Sequence, residues 1–225
     1  TFIMNTMKTL LALLCALNIN AKSHAEEASG SNVSGSAEIG YRSAHYFRGA
    51  AKSQDSLFVG VGASTSIQGV ALFADYHTNQ PDTGNDFSVT TVGAGVEFAD
   101  SLLSVYGGVQ NRDDDSTGSE LDVFLTASIE AIATLQATVY RNTDDELYTI
   151  EASASKDFDL DVVTLGLSVD GGTTEETGNT RGYIGGTITV SKQFGSANVE
   201  VGGSLIDTDE SASDELLFAG LSFSF

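Results

Sequence analysis

Hydrophobic and polar residues alternate one by one along most of this chain. In one such stretch Leu57, Val59 and Val61 alternate with Phe58 and Gly60. A period of two is typical of β-strands, because successive side chains of a strand point to opposite faces. Twelve segments follow this pattern: 33–42, 56–67, 70–78, 87–98, 101–111, 121–130, 133–141, 147–158, 160–171, 181–194, 197–206 and 215–225. Each has roughly the 9–11 residues that a tilted strand needs to cross a bilayer.

The connections between these segments alternate in length. Short turns lie at 68–69, 99–100, 130–132, 159 and 195–196. Long polar loops lie at 43–55, 79–86, 112–120, 142–146, 172–180 and 207–214. This alternation is typical of outer-membrane barrels, which have tight periplasmic turns and longer outer loops. The sequence therefore predicts an all-β fold, a transmembrane antiparallel up-and-down β-barrel of about 12 strands with both termini on the periplasmic side.

The two faces of the predicted strands differ in composition. One face carries mostly Val, Leu, Ile, Ala and Phe, and the other mainly Gly, Ser, Thr, Ala and a few acids. A barrel of this size encloses more space than such small side chains fill, so we expect a water-containing lumen. The pattern assigns eight charged side chains to the pore lining: Glu38, Arg42, Asp75, Glu97, Asp122, Glu151, Asp170 and Glu200. This mainly acidic set favours a cation-selective channel, although it also suits the wetted interior of a structural barrel.

Phenylalanine recurs at one end of the predicted strands. Phe98, Phe158 and Phe194 each end a strand that runs towards the periplasm, and Phe225 ends the last one. Phe223 shares the apolar face of that last strand. These positions predict an aromatic girdle at the inner membrane interface. A final amphipathic strand that ends in Phe also resembles the signal that the outer-membrane assembly machinery recognises. The alternative is a buried edge strand of a soluble sandwich.

The first 25 residues have the features of an export signal. Lys8 supplies positive charge, residues 9–19 are mostly apolar, and small residues precede a cleavage position after Ala25. The single cysteine, Cys15, lies in this segment, so we expect no thiol chemistry in the mature chain. The predicted organisation is a signal peptide (1–25, with 1–6 as upstream sequence), a short tail (26–32) and the barrel (33–225). The predicted location is the outer membrane of a Gram-negative bacterium.

Acidic residues outnumber basic ones by 31 to 10, which gives a net charge of -21. So acidic a surface repels nucleic acid and attracts cations. Acidic clusters fall in three predicted loops, at 113–120, 144–146 and 207–214. None has the spacing of a calcium-binding hand. We therefore expect solvated loops and no metal site, with loose bridging of divalent cations to lipopolysaccharide as the alternative.

Signals of catalysis are weak. The predicted barrel has two histidines, His45 and His77, and neither forms a metal-binding pair. The chain also lacks the Gly-x-Ser-x-Gly motif of a nucleophile elbow. The sequence therefore predicts no enzyme activity, no catalytic residue and no cofactor.

A short aromatic block follows the first predicted strand. It reads Tyr41-Arg42-Ser43-Ala44-His45-Tyr46-Phe47-Arg48-Gly49, and a Ser-containing loop and the strand Val59-Gly60-Val61-Gly62 come after it. With this block, residues 36–78 resemble the opening of the Gcw_chp type of uncharacterised bacterial outer-membrane proteins. The resemblance implies a barrel in the outer membrane and supplies no site residues. In strand number the chain also resembles small monomeric porins for acidic oligosaccharides, but those need a basic lumen, whereas the predicted lumen is acidic.

Two functions from different classes fit these features. The first is a passive porin-like channel for small cationic or neutral solutes. The second is a structural or surface-interaction barrel with a closed pore, whose acidic loops contact divalent cations or lipopolysaccharide. Either function implies contact with outer-membrane lipid and lipopolysaccharide, and with the barrel assembly machinery during insertion. Neither involves nucleic acid.

Overall fold

The computed structural model describes residues 33–84, 86–98, 102–115, 117–176, 179–209 and 211–225. The signal peptide and the tail that the sequence predicts lie outside these ranges. The strands are β1 Val33–Phe47, β2 Ala50–Ile67, β3 Val70–Gly84, β4 Phe87–Phe98, β5 Leu103–Asp114, β6 Gly118–Glu130, β7 Thr134–Asn142, β8 Tyr148–Asp159, β9 Thr164–Glu176, β10 Asn179–Phe194, β11 Ala197–Thr208 and β12 Ser211–Ser224. Within the described ranges no helix is long and apolar enough to cross a membrane.

Every strand pairs with its neighbours in sequence, and β12 pairs with β1 to close the barrel. The closing seam is antiparallel and runs from Ser36 opposite Ser224 to Arg42 opposite Phe218. Closure removes the free edges of the sheet, so each strand has a hydrogen-bonding neighbour on both sides. These pairings confirm the predicted closed antiparallel barrel of 12 strands.

The two ends of the barrel carry different connections. We call one end the lower end; its connections are 68–69, 99–102, 131–133, 160–163 and 195–196. We call the opposite end the upper end; its connections are 48–49, 85–86, 115–117, 143–147, 177–178 and 209–210. The upper end corresponds to the end at which the sequence predicts outer loops.

The upper connections differ from the predicted long loops, because most of their residues continue the strands. Arg112 and Glu120, for example, were expected in a loop but form a cross-strand pair of β5 and β6. Of the six predicted loops, only 142–146 largely remains a connection, at 143–147. Hydrophobic alternation marks where a strand meets lipid, whereas backbone pairing extends into water where cross-strand side chains attract each other. The upper end is therefore built of long hairpins.

Burial separates the two faces of the wall. Large apolar side chains on the outer face are strongly exposed, as are Leu125 at 59% and Ile188 at 52%. Phe58, Phe124 and Thr138 are buried inside the barrel. A wall that exposes apolar side chains all around its outside is what a bilayer-spanning barrel requires.

Two of the hairpins turn over two residues with positive φ. Gln68 and Gly69 have φ values of 54° and 82°, and Arg48 and Gly49 have values of 50° and 75°. Positive φ at both central positions defines the type I′ turn, whose twist matches that of the flanking strands. The predicted long loop at 43–55 is therefore a tight hairpin, and its tip is the turn Arg48-Gly49.

Candidate functional site

The strand registers place all eight residues assigned to the lumen on the inner face of the wall. Asp122 and Thr138 fix this face, because both are buried inside the barrel and exposed residues flank them in sequence. Residues that pair across neighbouring strands lie on the same face, so the pairings identify the inner-face residues of every other strand. Inner-face positions are Glu38, Arg42, Asp75, Glu97, Asp122, Glu151, Asp170 and Glu200.

Two of these residues have partners on the β1–β3 side of the lumen. Glu38 Oε1 lies 3.0 Å from His77 Nδ1, across the space that Gly60 leaves between them. The Arg42 guanidinium lies 4.2 Å from the centre of the Phe58 ring. His77 thus occupies the inner face with the carboxylates.

Charge is distributed unevenly along the lumen. Glu38, Asp75, Glu97 and Glu200 lie nearer the lower ends of their strands, and Asp170 lies at mid-strand. In the described part of the chain, the inner-face lysine and arginine residues of the wall all lie nearer the upper ends of their strands: Arg42, Lys52, Arg112 and Arg181. The lower half of the lumen is therefore acidic, whereas the upper half carries both signs.

Several inner carboxylates have no ion pair with any residue that the structure describes, among them Asp75, Glu151, Asp170 and Glu200. Glu151 accepts a hydrogen bond from the Tyr183 hydroxyl instead. A carboxylate without a cationic partner stays charged at low cost only where water reaches it. The lumen therefore needs water or mobile cations near these groups.

An ionic network in the upper half is centred on Asp122. Its carboxylate accepts hydrogen bonds from Arg48 Nη1 at 2.8 Å and from Arg112 Nε at 3.0 Å. Arg112 Nη2 also donates to Glu120 at 2.7 Å. The side chains of Arg48 and Asp122 are only 6% and 1% exposed. The sequence pattern assigned Asp122 to the lumen but gave no indication of these cations around it.

Aromatic side chains fill part of the lumen, which corrects the expectation of mainly small inner side chains. The Phe73 ring contacts those of Tyr106 and Phe124, with centroids 6.1 and 6.5 Å apart. Phe124 in turn contacts Tyr140 at 6.0 Å. Small residues make room for these rings: a Cβ at Gly93 would lie 2.4 Å from the Phe73 ring. The average composition of the inner face conceals this pairing of large with small residues.

The upper part of the β1–β2 hairpin leaves the barrel wall. Pairing of β1 with β12 ends at Arg42, but β1 stays paired with β2 as far as the turn. The register shifts between His45 and Tyr46, and Asp55 has a positive φ of 49°. Irregularities of this kind bend a strand and increase its twist. The hairpin bends at this level.

Arg48 shows where the bent hairpin goes. Besides its ion pair with Asp122 on β6, its guanidinium lies 3.8 Å from the centre of the Tyr140 ring on β7. In the closed ring of strands, β7 lies opposite β1. A side chain at the tip of the β1–β2 hairpin can reach this wall only if the hairpin projects across the lumen.

The rest of the hairpin tip, which we define as residues 46–52, contacts other parts of the inner wall. The Phe47 ring lies 5.0 Å from that of Phe87 on β4. On the other side, a Cβ at Gly49 would lie 2.8 Å from Cβ of Tyr183 on β10. Contacts on opposite sides place the tip in the middle of the lumen. No sequence signal indicated this placement, although Arg48-Gly49 carries the same turn signal as Gln68-Gly69.

Several cavities lie around the tip and the residues that it contacts. One of about 350 Å³ has Arg48, Lys52, Arg112, Arg181, Glu120 and Asp122 among its lining residues. A second of about 220 Å³ includes Tyr140, Glu151, Asp170 and Tyr183. A third of about 360 Å³ includes Glu38, Arg42, Phe58, Asp170, Glu200 and Phe218. The first cavity carries four basic side chains, and the other two carry Glu151, Asp170 and Glu200.

The phenylalanines of the predicted girdle lie at the lower end, on the outer face: Phe98, Phe158, Phe194, Phe223 and Phe225. The ammonium groups of Lys156 and Lys192 lie 5.4 and 5.3 Å from the rings of Phe158 and Phe194. Rings with a lysine beside them suit a membrane interface, where one end is apolar and the other wet. Their roles as a girdle and an assembly signal stay predictions.

No family model matches the chain, and no curated protein matches it in sequence. The fold, however, is shared with solved outer-membrane proteins. A KdgM porin in complex with disordered oligogalacturonate has a TM-score of 0.56 at 10% identity, over 85% of this chain and 99% of that chain. The NanC porin has a TM-score of 0.55 at 9% identity, over 84% and 98%. An outer membrane channel from Pseudomonas putida F1 has a TM-score of 0.57 at 9% identity, over 88% and 97%.

At these identities the similarity shows the fold alone. The chain has the fold of an outer-membrane β-barrel, of the kind seen in porins and channels. The resemblance of residues 36–78 to Gcw_chp-type proteins stays a prediction.

Proposed function

We propose that this protein is a passive porin-like channel of the outer membrane for small solutes, with a preference for cationic or neutral ones. The observation that carries the proposal is that several carboxylates on the inner face of a closed barrel have no ion pair in the described structure, among them Glu151, Asp170 and Glu200. The fold that the barrel shares with porins and channels supports the same class of function.

The charge preference follows from where these acids lie. Low-dielectric walls focus the field of fixed charges into a narrow aqueous space, which raises the local concentration of the opposite ion. The basic residues of the inner face lie in the upper half, where Asp122, Glu120 and Asp114 neutralise several of them. The charged groups that a solute meets in the lower half are therefore mainly carboxylates, and a cation is favoured there over an anion.

A second candidate function is a structural or surface-interaction barrel with a closed pore. The hairpin tip in the lumen is the observation that favours it, because the tip occupies space that a solute needs. In this alternative the acidic upper hairpins contact divalent cations or lipopolysaccharide. The two functions differ in one measurable property, the passage of ions.

Planar-bilayer recording of the purified protein tests the proposal. We expect discrete conductance steps and, under a potassium chloride gradient, a reversal potential of the sign for cation preference. A triple variant with Glu151→Gln, Asp170→Asn and Glu200→Gln should shift the reversal potential towards zero. The preference of the parent should also weaken at high salt, because the screening length falls from about 10 Å at 0.1 M to about 3 Å at 1 M.

A matched control removes the same charge from exposed connections. Asp144→Asn, Glu146→Gln and Asp161→Asn change the net charge equally but lie outside the lumen. This control should keep the reversal potential of the parent. A parent that conducts but prefers anions contradicts the cation preference, and a folded protein that shows no conductance steps supports the structural barrel.

A further inference from the structure

We infer that the hairpin tip, residues 46–52, is the constriction of this channel, and that the clamp of Arg48 onto Asp122 and Tyr140 holds it across the lumen. The inference rests on the proposed channel function, since a constriction matters only where solutes pass. It assigns the size limit of the pore to one short segment, and it assigns Arg48 as the residue that positions that segment.

The first argument is that the tip is built to lie in one position. Its turn is a two-residue type I′ turn, which fixes the backbone at Arg48 and Gly49. The hairpin is paired up to the turn, with Phe47 opposite Ala50. A paired hairpin with a tight turn has far fewer conformations than an open loop of the same length, so its contacts with the wall are made at a small entropic cost.

The second argument is that the anchor is buried. The Arg48 guanidinium pairs with Asp122, stacks on Tyr140 and donates to Gln110 Oε1 at 3.1 Å. Buried ion pairs contribute little net stability, but one partner left alone is strongly unfavourable, so such a pair favours one arrangement over others. Arg48 therefore positions the tip and does so only when it reaches the opposite wall.

The third argument is that two further contacts hold the sides of the tip. Lys52 Nζ lies 2.9 Å from Asp114 Oδ2 on β5, and 5.5 Å from the centre of the Phe87 ring. The Tyr46 hydroxyl donates to Asp214 on β12. Anchors on β5, β6, β7 and β12 surround the tip, so it cannot lie flat against one part of the wall.

The fourth argument concerns what lies on either side. The cavity of about 350 Å³ holds Arg48, Lys52 and other residues of mixed charge. The cavity of about 220 Å³ holds Glu151 and Asp170, and Tyr140, on which Arg48 stacks, is one of its lining residues. The tip lines the mixed-charge cavity and contacts Tyr140 and Tyr183 of the acidic one, so we expect a solute that moves from one to the other to pass the tip.

A disulfide tests the position of the tip without reference to conductance. In a Cys15→Ser background we would introduce Gly49→Cys with Tyr183→Cys, because the two β-carbons would lie 2.8 Å apart. The tip has to move back by about 1 Å to reach the Cβ–Cβ distance of a disulfide, about 3.8 Å. The matched control is Gly118→Cys with Tyr183→Cys. Gly118 also has a positive φ, of 86°, but a Cβ there meets nothing within 4 Å. We expect oxidation to cross-link the first pair in the folded protein and not the second.

Conductance tests the role of the tip. Arg48→Ala should raise the single-channel conductance, because the tip loses its anchor. A second variant, in which Asn-Gly replaces residues 46–52, keeps the pair His45–Ser53 next to a two-residue turn and should raise the conductance severalfold. The oxidised Gly49→Cys/Tyr183→Cys protein should keep the low conductance of the parent even when Arg48→Ala is added.

The outcomes separate the inference from the function on which it rests. Failure of the first cysteine pair to cross-link overturns the position of the tip, whether or not the protein conducts. Cross-linking with a conductance that neither variant changes overturns the constriction but leaves the channel. Cross-linking in a protein that never conducts, even with the tip removed, overturns the proposed function and the constriction with it.

Discussion

Replacing Asp122 by Asn should be among the most destabilising single substitutions in this protein. The carboxylate is almost completely buried and accepts hydrogen bonds from two guanidinium groups, those of Arg48 and Arg112. Asn keeps the shape but removes the charge, and its amide presents donors where Asp122 presents acceptors. Arg112 retains Glu120 as an ionic partner, whereas the contacts that Arg48 retains in the described structure, with Gln110 and the rings of Tyr140 and Phe47, are all uncharged.

The magnitude follows from the burial of the charges. Removing one partner of a buried ion pair typically costs about 3–5 kcal/mol, because the remaining charge is left uncompensated. With a urea dependence of about 1–3 kcal/mol per molar, Asp122→Asn should lower the unfolding midpoint by about 1 M or more. The measurement is urea unfolding of the protein refolded in lipid vesicles, followed by the mobility difference between folded and unfolded barrel on gels.

An exposed ion pair provides the matched control. Glu146→Gln also removes a carboxylate from an arginine, but the Arg141–Glu146 pair is 49% and 75% exposed and should change stability by less than about 1 kcal/mol. Adding Arg48→Met to Asp122→Asn should recover part of the loss, since it removes the uncompensated cation. If Asp122→Asn unfolds at the same urea concentration as the control, the buried network does not exist as described.

Two further substitutions test the packing of the wall. Gly108→Ala should lower the free energy of unfolding by about 1–3 kcal/mol, because its Cβ would lie 2.1 Å from the backbone oxygen of Val92. Gly107→Ala should have a smaller effect in the same urea titration, because its Cβ would lie 3.3 Å from the nearest atom. Thr138→Val should cost about 1–3 kcal/mol by leaving the buried Thr126 hydroxyl, 2.9 Å away, without its partner, and Thr126→Val in the same chain should restore much of it. Equal stabilities of the single and double Val variants would contradict the second reasoning.

The barrel wall was predictable because the alternation that defines its two faces is visible between neighbouring residues in sequence. Leu125 faces lipid and its neighbour Thr126 faces the lumen, and this difference repeats at every second residue along each strand. Because one face of the wall meets the bilayer and the other meets water, apolar and polar residues alternate along each strand. The same parity placed Asp122 and Glu151 on the inner face without knowledge of any partner.

The ends of the strands were not predictable from that pattern. Above the bilayer both faces of a hairpin meet polar surroundings, so alternation disappears although pairing continues. Arg112 and Glu120 illustrate this: both look like loop residues in sequence, yet they face each other across β5 and β6 with an ion pair of 2.7 Å. Strand length at the upper end depends on such cross-strand attraction and not on hydrophobicity.

The position of the β1–β2 hairpin in the lumen was not predictable from the sequence, for a different reason. Arg48 and Asp122 are 74 residues apart in sequence, and nothing near Arg48 in the chain indicates that its partner lies on the opposite wall. The local signal, Arg48-Gly49, predicts a tight turn but not the direction in which the hairpin bends. That direction is set by the irregularities at His45 and Asp55 together with the cluster that receives the tip.

The structure changes the meaning of the acidic lumen that the sequence predicts. The alternation along the strands assigned mostly acids to the inner face, which implied that the lumen is negatively charged along its whole length. The bent hairpin instead brings Arg48 and Lys52 close to Arg112 in the upper half, where acids neutralise them. It leaves Asp170 at mid-strand and Glu200 in the lower half without such partners. If the protein is the channel that we propose, size is limited at the tip and charge is sensed below it. A solute must satisfy the first condition before the second acts, so the two properties depend on different residues and should be separable by mutation.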